Sequence, residues 1–254
     1  MKKSTSLQKG LEIMNAYVLS EHGVSVKTLS DRMGMPLSTL YRYIETLVTQ
    51  GFLSKNPNTK NFEPGPVLIR MGYKVYSKFQ INRNIRPYMK ALQEQSGETI
   101  VLHVRSGFEA LCIERIESQG AHTIRFGTLV GETLPLHAGA SAKILLAYQP
   151  NSFVNIYLRD RKLNHFTNHT ITDPELIKKE LDLIREKGLA YSDGEVNTGA
   201  GAIAAPIFFH EDEIAASIAI VGPKKISLKR TLCKLTRILK DTAKAASRDL
   251  GYND

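Results

Sequence analysis

Two short segments with apolar residues at helical spacing, separated by a tight turn, constrain the fold of this chain more than any other feature. The first segment places three apolar residues on one helical face: Val26, Leu29 and Met33. The second places four on its own face: Leu40, Ile44, Leu47 and Val48. Ser25 suits the N-cap of the first helix, Gly34 tolerates a positive φ in the turn, and Pro36 fits the start of the second helix. The pattern predicts two helices joined as a helix-turn-helix.

The flanking residues extend this pattern. An amphipathic helix is predicted over 6–20, with Ser6 as its N-cap. Its expected buried stripe consists of Leu7, Leu11, Met14 and Val18. After Gly51, residues 52–55 and 61–63 flank a polar, turn-rich stretch, which predicts a β-hairpin with a basic tip. This order of elements is that of a winged helix-turn-helix, in which the helix after the turn enters the major groove of DNA.

The basic charge of the chain is confined to its N-terminal third. Residues 1–90 contain 14 lysines and arginines and 5 acidic residues, and so carry the whole formal net charge of +9. Residues 91–254 contain 20 residues of each sign. A basic module joined to a neutral body is typical of a polyanion-binding domain fused to a domain with another task. The alternative is a basic surface that only aids solubility.

The helix after the turn carries the candidate contacts to DNA bases. A projection at 100° per residue places one arginine, one glutamate and several hydroxyl side chains opposite the apolar stripe. Arginine can form paired hydrogen bonds with guanine, and hydroxyl groups can bond to bases or phosphates, while lysines on the hairpin suit phosphate contact. The candidate DNA-binding residues are Ser38, Thr39, Arg42, Glu45, Thr46, Thr49, Lys55 and Lys60.

The remaining two-thirds of the chain predicts a domain of strands and helices. Strands are predicted at 98–105, 110–116, 122–126, 189–191, 201–209 and 214–221, with a hairpin turn at 210–213. Helices are predicted at 85–92, 138–148, 152–158 and 174–187, followed by a C-terminal helix that has Leu228, Leu232, Leu235 and Leu239 on one face. No strand–helix alternation or glycine-rich phosphate turn appears, which excludes a dinucleotide-binding fold and favours an antiparallel α+β domain.

We therefore expect a winged helix-turn-helix at 1–66, a linker helix at 67–80 and a second domain at 81–254. No apolar run reaches the roughly 20 residues that span a bilayer, and no secretory signal is visible. Two distant cysteines, Cys112 and Cys233, exclude a disulfide framework and suit the cytoplasm. His165 and His169 have a metal-ligand spacing but lie in a polar stretch, so we expect neither a metal nor a cofactor.

Two stretches rich in small residues, 127–143 and 193–206, stand out in the second domain. Small residues at a helix N-terminus let a ligand approach closely, and the free N–H groups there favour anions. The two stretches could line one cavity. Close packing of a helix on a sheet also needs small residues, and this interpretation stays open.

These residues resemble IclR-family transcriptional regulators over nearly the whole chain. The N-terminal match comprises SLQKGLEI at 6–13, GMPLSTLYRYIETL at 34–47 and QGFL at 50–53. The C-terminal match comprises LPLHAGASAKILLA at 134–147, GEVNTG at 194–199 and AAPIF at 204–208. The resemblance implies a winged helix-turn-helix, a linker helix and a GAF-like effector domain. It also implies dimers or dimers of dimers on operator DNA, which repress or activate genes in response to a small molecule.

The resemblance also places an effector pocket. Its candidate residues in this chain are Leu134, Gly139, Ala140, Ser192, Ala202, Ala219 and Val221. This chain has Ala202 where the family often has cysteine, and Ala219 and Val221 where it often has small polar residues. The usual pair of glutamates is replaced here by glycine and glutamate at 194–195. The resemblance therefore implies a less polar pocket than in family members that hold carboxylates, with room for a more apolar ligand.

The expected function is a DNA-binding regulator, a repressor rather than an activator, controlled by an effector. One alternative is a small-molecule sensor that acts through protein contacts, against which the N-terminal charge argues. Another is an enzyme that uses His137 and Ser141. The chain has no G-x-S-x-G elbow, and Ser141 and Lys143 lack the S-x-x-K step, so we expect no catalysis.

Overall fold

The computed structural model describes residues 4–18, 20, 24–78, 80–118, 127–209, 213–223 and 229–252. The chain divides into two compact units, Met1–Phe79 and Gln80–Asp254. Within the described residues, no helix has both the length and the apolar character that crossing a bilayer requires.

The first unit is a winged helix-turn-helix followed by a further helix. Its elements are α1 (Thr5–Val18), α2 (Val26–Met33), α3 (Leu37–Thr49), β1 (Leu53–Lys55), β2 (Phe62–Pro64) and α4 (Pro66–Lys78). Ser25 Oγ accepts the N–H of Thr28 at 3.0 Å, and Gly34 ends α2 with φ 58°. Both were predicted and are confirmed. Pro36 is the N-cap of α3, one position before the first helical turn.

The buried face of α1 differs from the prediction. Ile13 and Tyr17 are its buried residues, whereas Leu7 is 65% exposed and Leu11 is 47% exposed. Helix α1 has two apolar rows, and helical periodicity alone does not decide between them. The structure buries the row with the larger side chain, because the Tyr17 ring packs edge-on against Phe62 of the hairpin, with ring centroids 6.2 Å apart.

The hairpin, or wing, is tied directly to the end of α3. Strands β1 and β2 pair antiparallel, with Leu53 opposite Pro64. The N–H of Gly65 donates to the carbonyl of Phe52 at 2.8 Å. A Cβ on Gly65 would lie 2.2 Å from the carbonyl oxygen of Gly51, so only glycine permits this approach of the two backbones.

The second unit is an antiparallel α+β domain, as predicted. Its elements are α5 (Gln80–Ser96), β3 (Thr99–Ser106), β4 (Glu109–Ile116), β5 (Thr133–Pro135), α6 (Ala140–Ala147), α7 (Asn151–Asp160), α8 (Pro174–Lys187), β6 (Ala190–Asp193), β7 (Ala200–Phe208), β8 (Ile214–Pro223) and α9 (Lys229–Asp249). The sheet order is β5-β4-β3-β8-β7-β6. Strand β5 was not predicted. The strand predicted at 122–126 and most of the turn predicted at 210–213 lie outside the described residues.

The two faces of this sheet have different side chains. One face packs isoleucines of β7 and β8, such as Ile203 and Ile220, against α5 and α9. On the other face, alanines of the same strands pack with α6, including Ala204 and Ala219. Strand alternation sets this division, and it leaves small side chains beneath α6.

Candidate nucleic-acid interface and ligand cavity

The exposed face of α3 carries most of the predicted DNA contacts. Leu40 and Ile44 are fully buried on the opposite face of the helix. Five of the candidates are exposed: Ser38, Arg42, Glu45, Thr46 and Thr49. Thr39 is half-buried. The Thr46 hydroxyl donates to the carbonyl of Arg42 at 2.9 Å, so its oxygen remains free to accept a further hydrogen bond.

Two exposed apolar side chains on this helix were missing from the prediction. Leu37 and Tyr41 are each about half exposed, and Tyr41 lies one turn before Glu45 on the same face. Apolar contact with the methyl group of thymine suits such residues. Their helical spacing places them on the exposed face, but the predicted set contained only polar side chains.

The wing presents the two predicted lysines, both exposed. The Lys55 ammonium lies 5.9 Å from the centroid of the Phe62 ring, and Lys60 sits in the turn with φ 61°. Neither lysine, nor Arg42 on α3, forms an ion pair with any described residue. Three cationic groups are thus available to an external anion.

Three of the predicted effector residues form a row across neighbouring strands. Ala202 on β7 pairs with Ser192 on β6 and with Val221 on β8. Ala219 lies two residues from Val221 on β8 and therefore points to the same face. Ala202, Ala219 and Val221 belong to one apolar cluster, and Ser192 is linked to that cluster through its cross-strand neighbour Ala202.

The remaining predicted effector residues are Gly139 and Ala140, at the start of α6, and Leu134, on β5. Ala140 is buried, and Leu134 on β5 packs on the same apolar cluster as the sheet residues. Gly139 has φ 88°, and a Cβ at this position would lie 3.6 Å from the Leu134 side chain and 3.4 Å from that of Val196. The N-terminus of α6, which belongs to the small-residue stretch 127–143, therefore contacts the other stretch, 193–206.

A buried charge network that was not predicted joins α6 to β6, to the loop after β6 and to α8. The Lys143 ammonium on α6 donates to Glu195 Oε1 at 2.6 Å, to the carbonyl of Tyr191 at 2.8 Å and to Glu180 on α8. Glu195 Oε2 accepts the N–H of Gly139 at 3.0 Å. Burial raises the pKa of Glu195, while the neighbouring Lys143 opposes this shift. The sequence contained one indication of this network: Lys143 is the only charged residue in the mostly apolar α6, and a lysine is rarely buried unless it is paired.

Thr128, in the loop before β5, belongs to a polar cluster next to the predicted effector residues. The Thr128 hydroxyl is hydrogen-bonded to His103 Nε2 at 2.7 Å, and its carbonyl accepts a hydrogen bond from Arg115 at 2.9 Å. Burial lowers the pKa of His103 to about 4, so the imidazole is neutral at pH 7. A Cβ on Gly127 would lie 3.5 Å from both Arg115 and Val221, which places the guanidinium near the row of effector residues.

His137 and Ser141 do not form a catalytic pair. His137 Nε2 donates to the carbonyl of Asn164 at 3.1 Å, and its Nδ1 accepts from the Tyr157 hydroxyl at 2.8 Å. Both ring nitrogens are thus engaged in the packing of α7, and burial raises the pKa of Tyr157 to about 12. Ser141 Oγ has no hydrogen-bond partner among the described residues. Within the same described part of the chain, no group of three or more potential ligands could hold a metal ion.

Comparisons with known proteins identify the family. The model described as "IclR helix-turn-helix domain" matches residues 6–57, and "Bacterial transcriptional regulator IclR C-terminal" matches residues 73–248. The HTH-type transcriptional regulator KipR of Bacillus subtilis is 32% identical, with 98% of each chain covered. The Transcriptional repressor IclR of Escherichia coli is 30% identical, over 86% of this chain and 80% of that protein.

The fold is shared with solved structures. An IclR homologue from Microbacterium hydrocarbonoxydans, in complex with 4-hydroxybenzoate, has a TM-score of 0.81 at 23% identity, over 97% of this chain and 99% of that chain. Two family models together match most of the sequence, in the order in which the structure places a helix-turn-helix before an antiparallel α+β domain. This chain belongs to the IclR family of bacterial transcriptional regulators.

Proposed function

We propose that this chain is a sequence-specific repressor that binds operator DNA through α3 and the wing, and that a small-molecule effector changes this binding. The observation that carries the proposal is the exposed face of α3. Arg42 stands there among hydroxyl side chains without an ion-pair partner among the described residues, beside the cationic wing. Arg42 would contact a base in the major groove, while Lys55 and Lys60 would bond to phosphates.

The proposal divides the chain by task. Residues 1–66 would bind DNA, 67–80 would form the linker helix, and 81–254 would bind the effector. The net positive charge lies in residues 1–90, which supports this division. A domain with no net charge does not attract the phosphate backbone of DNA.

The effector cavity would lie between the N-terminus of α6 and the face of the sheet that packs against α6. Leu134, Ala140, Ala202, Ala219 and Val221 share one apolar cluster, which favours a ligand with an apolar body. The 4-hydroxybenzoate complex of the Microbacterium homologue supports a small molecule as the ligand class. The printed name of the Escherichia coli relative supports repression. An effector that binds one state of the regulator more tightly shifts the population toward that state.

A homodimer, or a dimer of such dimers, would bind the operator. One winged helix contacts few base pairs, and a two-fold pair contacts an inverted repeat. The first unit exposes apolar side chains that a second copy would cover: Leu7, Leu11, Val18, Ile69 and Tyr73. Since the proposed partner is operator DNA, we place the protein in the cytoplasm.

The alternatives explain less of the structure. A sensor that acts only through protein contacts does not explain the unpaired cationic side chains on α3 and the wing, which suit binding to a polyanion. An enzyme built on His137 needs a free ring nitrogen, and both of its ring nitrogens are engaged.

The decisive measurement is the affinity of the full chain for a selected operator duplex as a function of salt concentration. A protein that neutralises several phosphates loses affinity along a steep negative slope of log affinity against log salt. We expect such a slope for the operator, together with weaker binding to an unrelated duplex of equal length. A flat salt dependence, or equal affinity for both duplexes, contradicts the proposal.

A further inference from the structure

His103 and Ser217 lie side by side on the face of the sheet that packs against α6. They pair directly across β3 and β8, where side chains of opposite residues have Cβ atoms about 4.5–5.5 Å apart. His103 is 1% exposed and Ser217 is 0% exposed. The next residues on the same face are Val101 on β3 and Ala219 on β8. The polar pair therefore continues the surface that carries the effector candidates.

Each member of the pair has a polar atom without a hydrogen-bond partner. Thr128 occupies His103 Nε2, whereas His103 Nδ1 and Ser217 Oγ have no partner among the described residues. An unsatisfied buried polar atom costs about 1–3 kcal/mol, and most such atoms in proteins are paired. Two of them on adjacent residues indicate a place where one external polar group can satisfy both.

The pair adjoins the proposed cavity through the covering loop. Gly127 precedes Thr128, and a Cβ on Gly127 would lie 3.5 Å from the Val221 side chain and 3.6 Å from that of Val101. Thr128 bonds to His103 and its neighbour Gly127 lies close to Val221, so this dipeptide links His103 to the row that contains Val221. In the proposed cavity, the polar pair would form one end and the apolar row would form a wall.

We propose that His103 and Ser217 form a polar subsite that takes one uncharged hydrogen-bonding group, a hydroxyl or a carboxamide, of an effector with an otherwise apolar body. This inference rests on the proposed function, because it assigns a contact within the same effector cavity. A serine hydroxyl both donates and accepts, and a neutral imidazole nitrogen does one or the other. A hydroxyl or carboxamide can therefore satisfy both atoms at once.

The surrounding charges favour an uncharged group over a carboxylate. Burial keeps His103 neutral, so it provides no counter-charge to an anion. Arg115, which lies beside Gly127, donates to the Thr128 carbonyl, and its Nε lies 3.5 Å from the Glu117 carboxylate, which offsets its charge. A carboxylate between His103 and Ser217 would be buried beside a neutral imidazole and a neutral hydroxyl, which is costly.

Four probes of similar size test the subsite in the full chain: phenol, benzamide, benzoate and toluene. Thermal unfolding and calorimetric titration would compare the wild type with Ser217→Ala and His103→Gln. The glutamine introduced by His103→Gln can keep the bond to Thr128 but lacks a counterpart of Nδ1. Ser152→Ala, on an exposed position of α7, is the matched control.

We expect phenol and benzamide to bind the wild type more tightly than toluene and benzoate do. Ser217→Ala and His103→Gln should each weaken phenol and benzamide about fivefold, the usual effect of one neutral hydrogen bond, and should leave toluene unchanged. Without a probe, Ser217→Ala should not lower Tm, because the lost hydroxyl has no protein partner among the described residues.

Several results would overturn the subsite. They are equal binding of all four probes, preference for benzoate, no binding of any probe, unchanged affinity in both variants, or a crystal structure of the phenol complex with only an ordered water between the two side chains. Operator affinity is measured separately. Retained operator binding with a failed subsite leaves the proposed function standing, whereas loss of specific operator binding removes the proposed function itself.

Discussion

The buried ammonium of Lys143 donates a 2.6 Å hydrogen bond to Glu195, 52 residues further along the chain. The two side chains are 3% and 7% exposed. The second carboxylate oxygen of Glu195, Oε2, accepts a hydrogen bond from the N–H of Gly139. The bond therefore joins α6 to the loop after β6, and it holds together two walls of the proposed cavity.

Removing the cation of this pair should strongly destabilise the second unit. Lys143→Met leaves the Glu195 carboxylate buried without its partner, which typically costs about 3–5 kcal/mol of unfolding free energy. Urea denaturation at pH 7 measures the loss. Lys178→Met is the control, because Lys178 pairs with Glu175 at an exposed position and should lose at most about 1 kcal/mol. Equal losses of unfolding free energy in the two variants would show that the buried pair contributes no more to stability than the exposed pair does.

Arg42 and Lys55 should affect operator binding in different ways. Arg42→Ala should weaken binding to the operator by about 1–3 kcal/mol and relax specificity at one base pair. Lys55→Ala should weaken operator and unrelated DNA alike and reduce the salt slope by about one. Titrations of both duplexes at several salt concentrations separate the two effects. An unchanged affinity and footprint in Arg42→Ala would remove this residue from the set of base contacts.

The exposed row of α1 should control assembly without affecting folding. Leu7 and Leu11 are exposed in the single chain, so replacing both by lysine should leave the core around Ile13 and Tyr17 intact. We expect the dimer dissociation constant to rise at least about tenfold, as sedimentation velocity would show, with circular dichroism unchanged. The matched control places lysine at Leu176, which is exposed on α8. A dimer that persists in the double variant would place the interface elsewhere.

Acid should destabilise the protein partly through His103. Its folded-state pKa of about 4 lies below the ordinary value of 6.5, so the folded state disfavours protonation. The contribution to stability is complete above the unfolded pKa and is lost as the pH falls from 6.5 towards 4. Between pH 7 and pH 5 the loss is about 2 kcal/mol.

Chemical denaturation at these two pH values checks this expectation. His103→Gln should lose less stability than the wild type between pH 7 and pH 5, whereas His169→Gln, at an exposed position, should behave as the wild type does. The expectation is wrong if His103→Gln and the wild type lose the same amount.

Features set by neighbouring residues could be predicted from the sequence. Ser25 and Gly34 bound α2, as their chemistry indicated, and Asp173 and Gly188 bound α8 in the same way. A cap depends on a side chain and a backbone group within one helical turn, so the local sequence contains all the information that is needed.

Features set by distant partners could not be predicted. The buried face of α1 depends on Phe62, and β5 exists as a three-residue strand because it pairs with β4. Lys143 meets Glu195, and His103 meets Thr128, only after the sheet has formed. The residues of the proposed apolar wall came from resemblance to a family, whereas the pairing of His103 with Ser217 appeared only in three dimensions.

The close approach of Gly51 and Gly65 has a mechanical consequence for operator choice. With no side chain between these backbones, α3 and the wing should move as one rigid unit. If the wing binds a phosphate as proposed, the position of that phosphate would set how deeply Arg42 enters the major groove. Binding sites with the right bases but an unsuitable backbone curvature should be rejected, so that this regulator distinguishes DNA by its bendability as well as by its sequence.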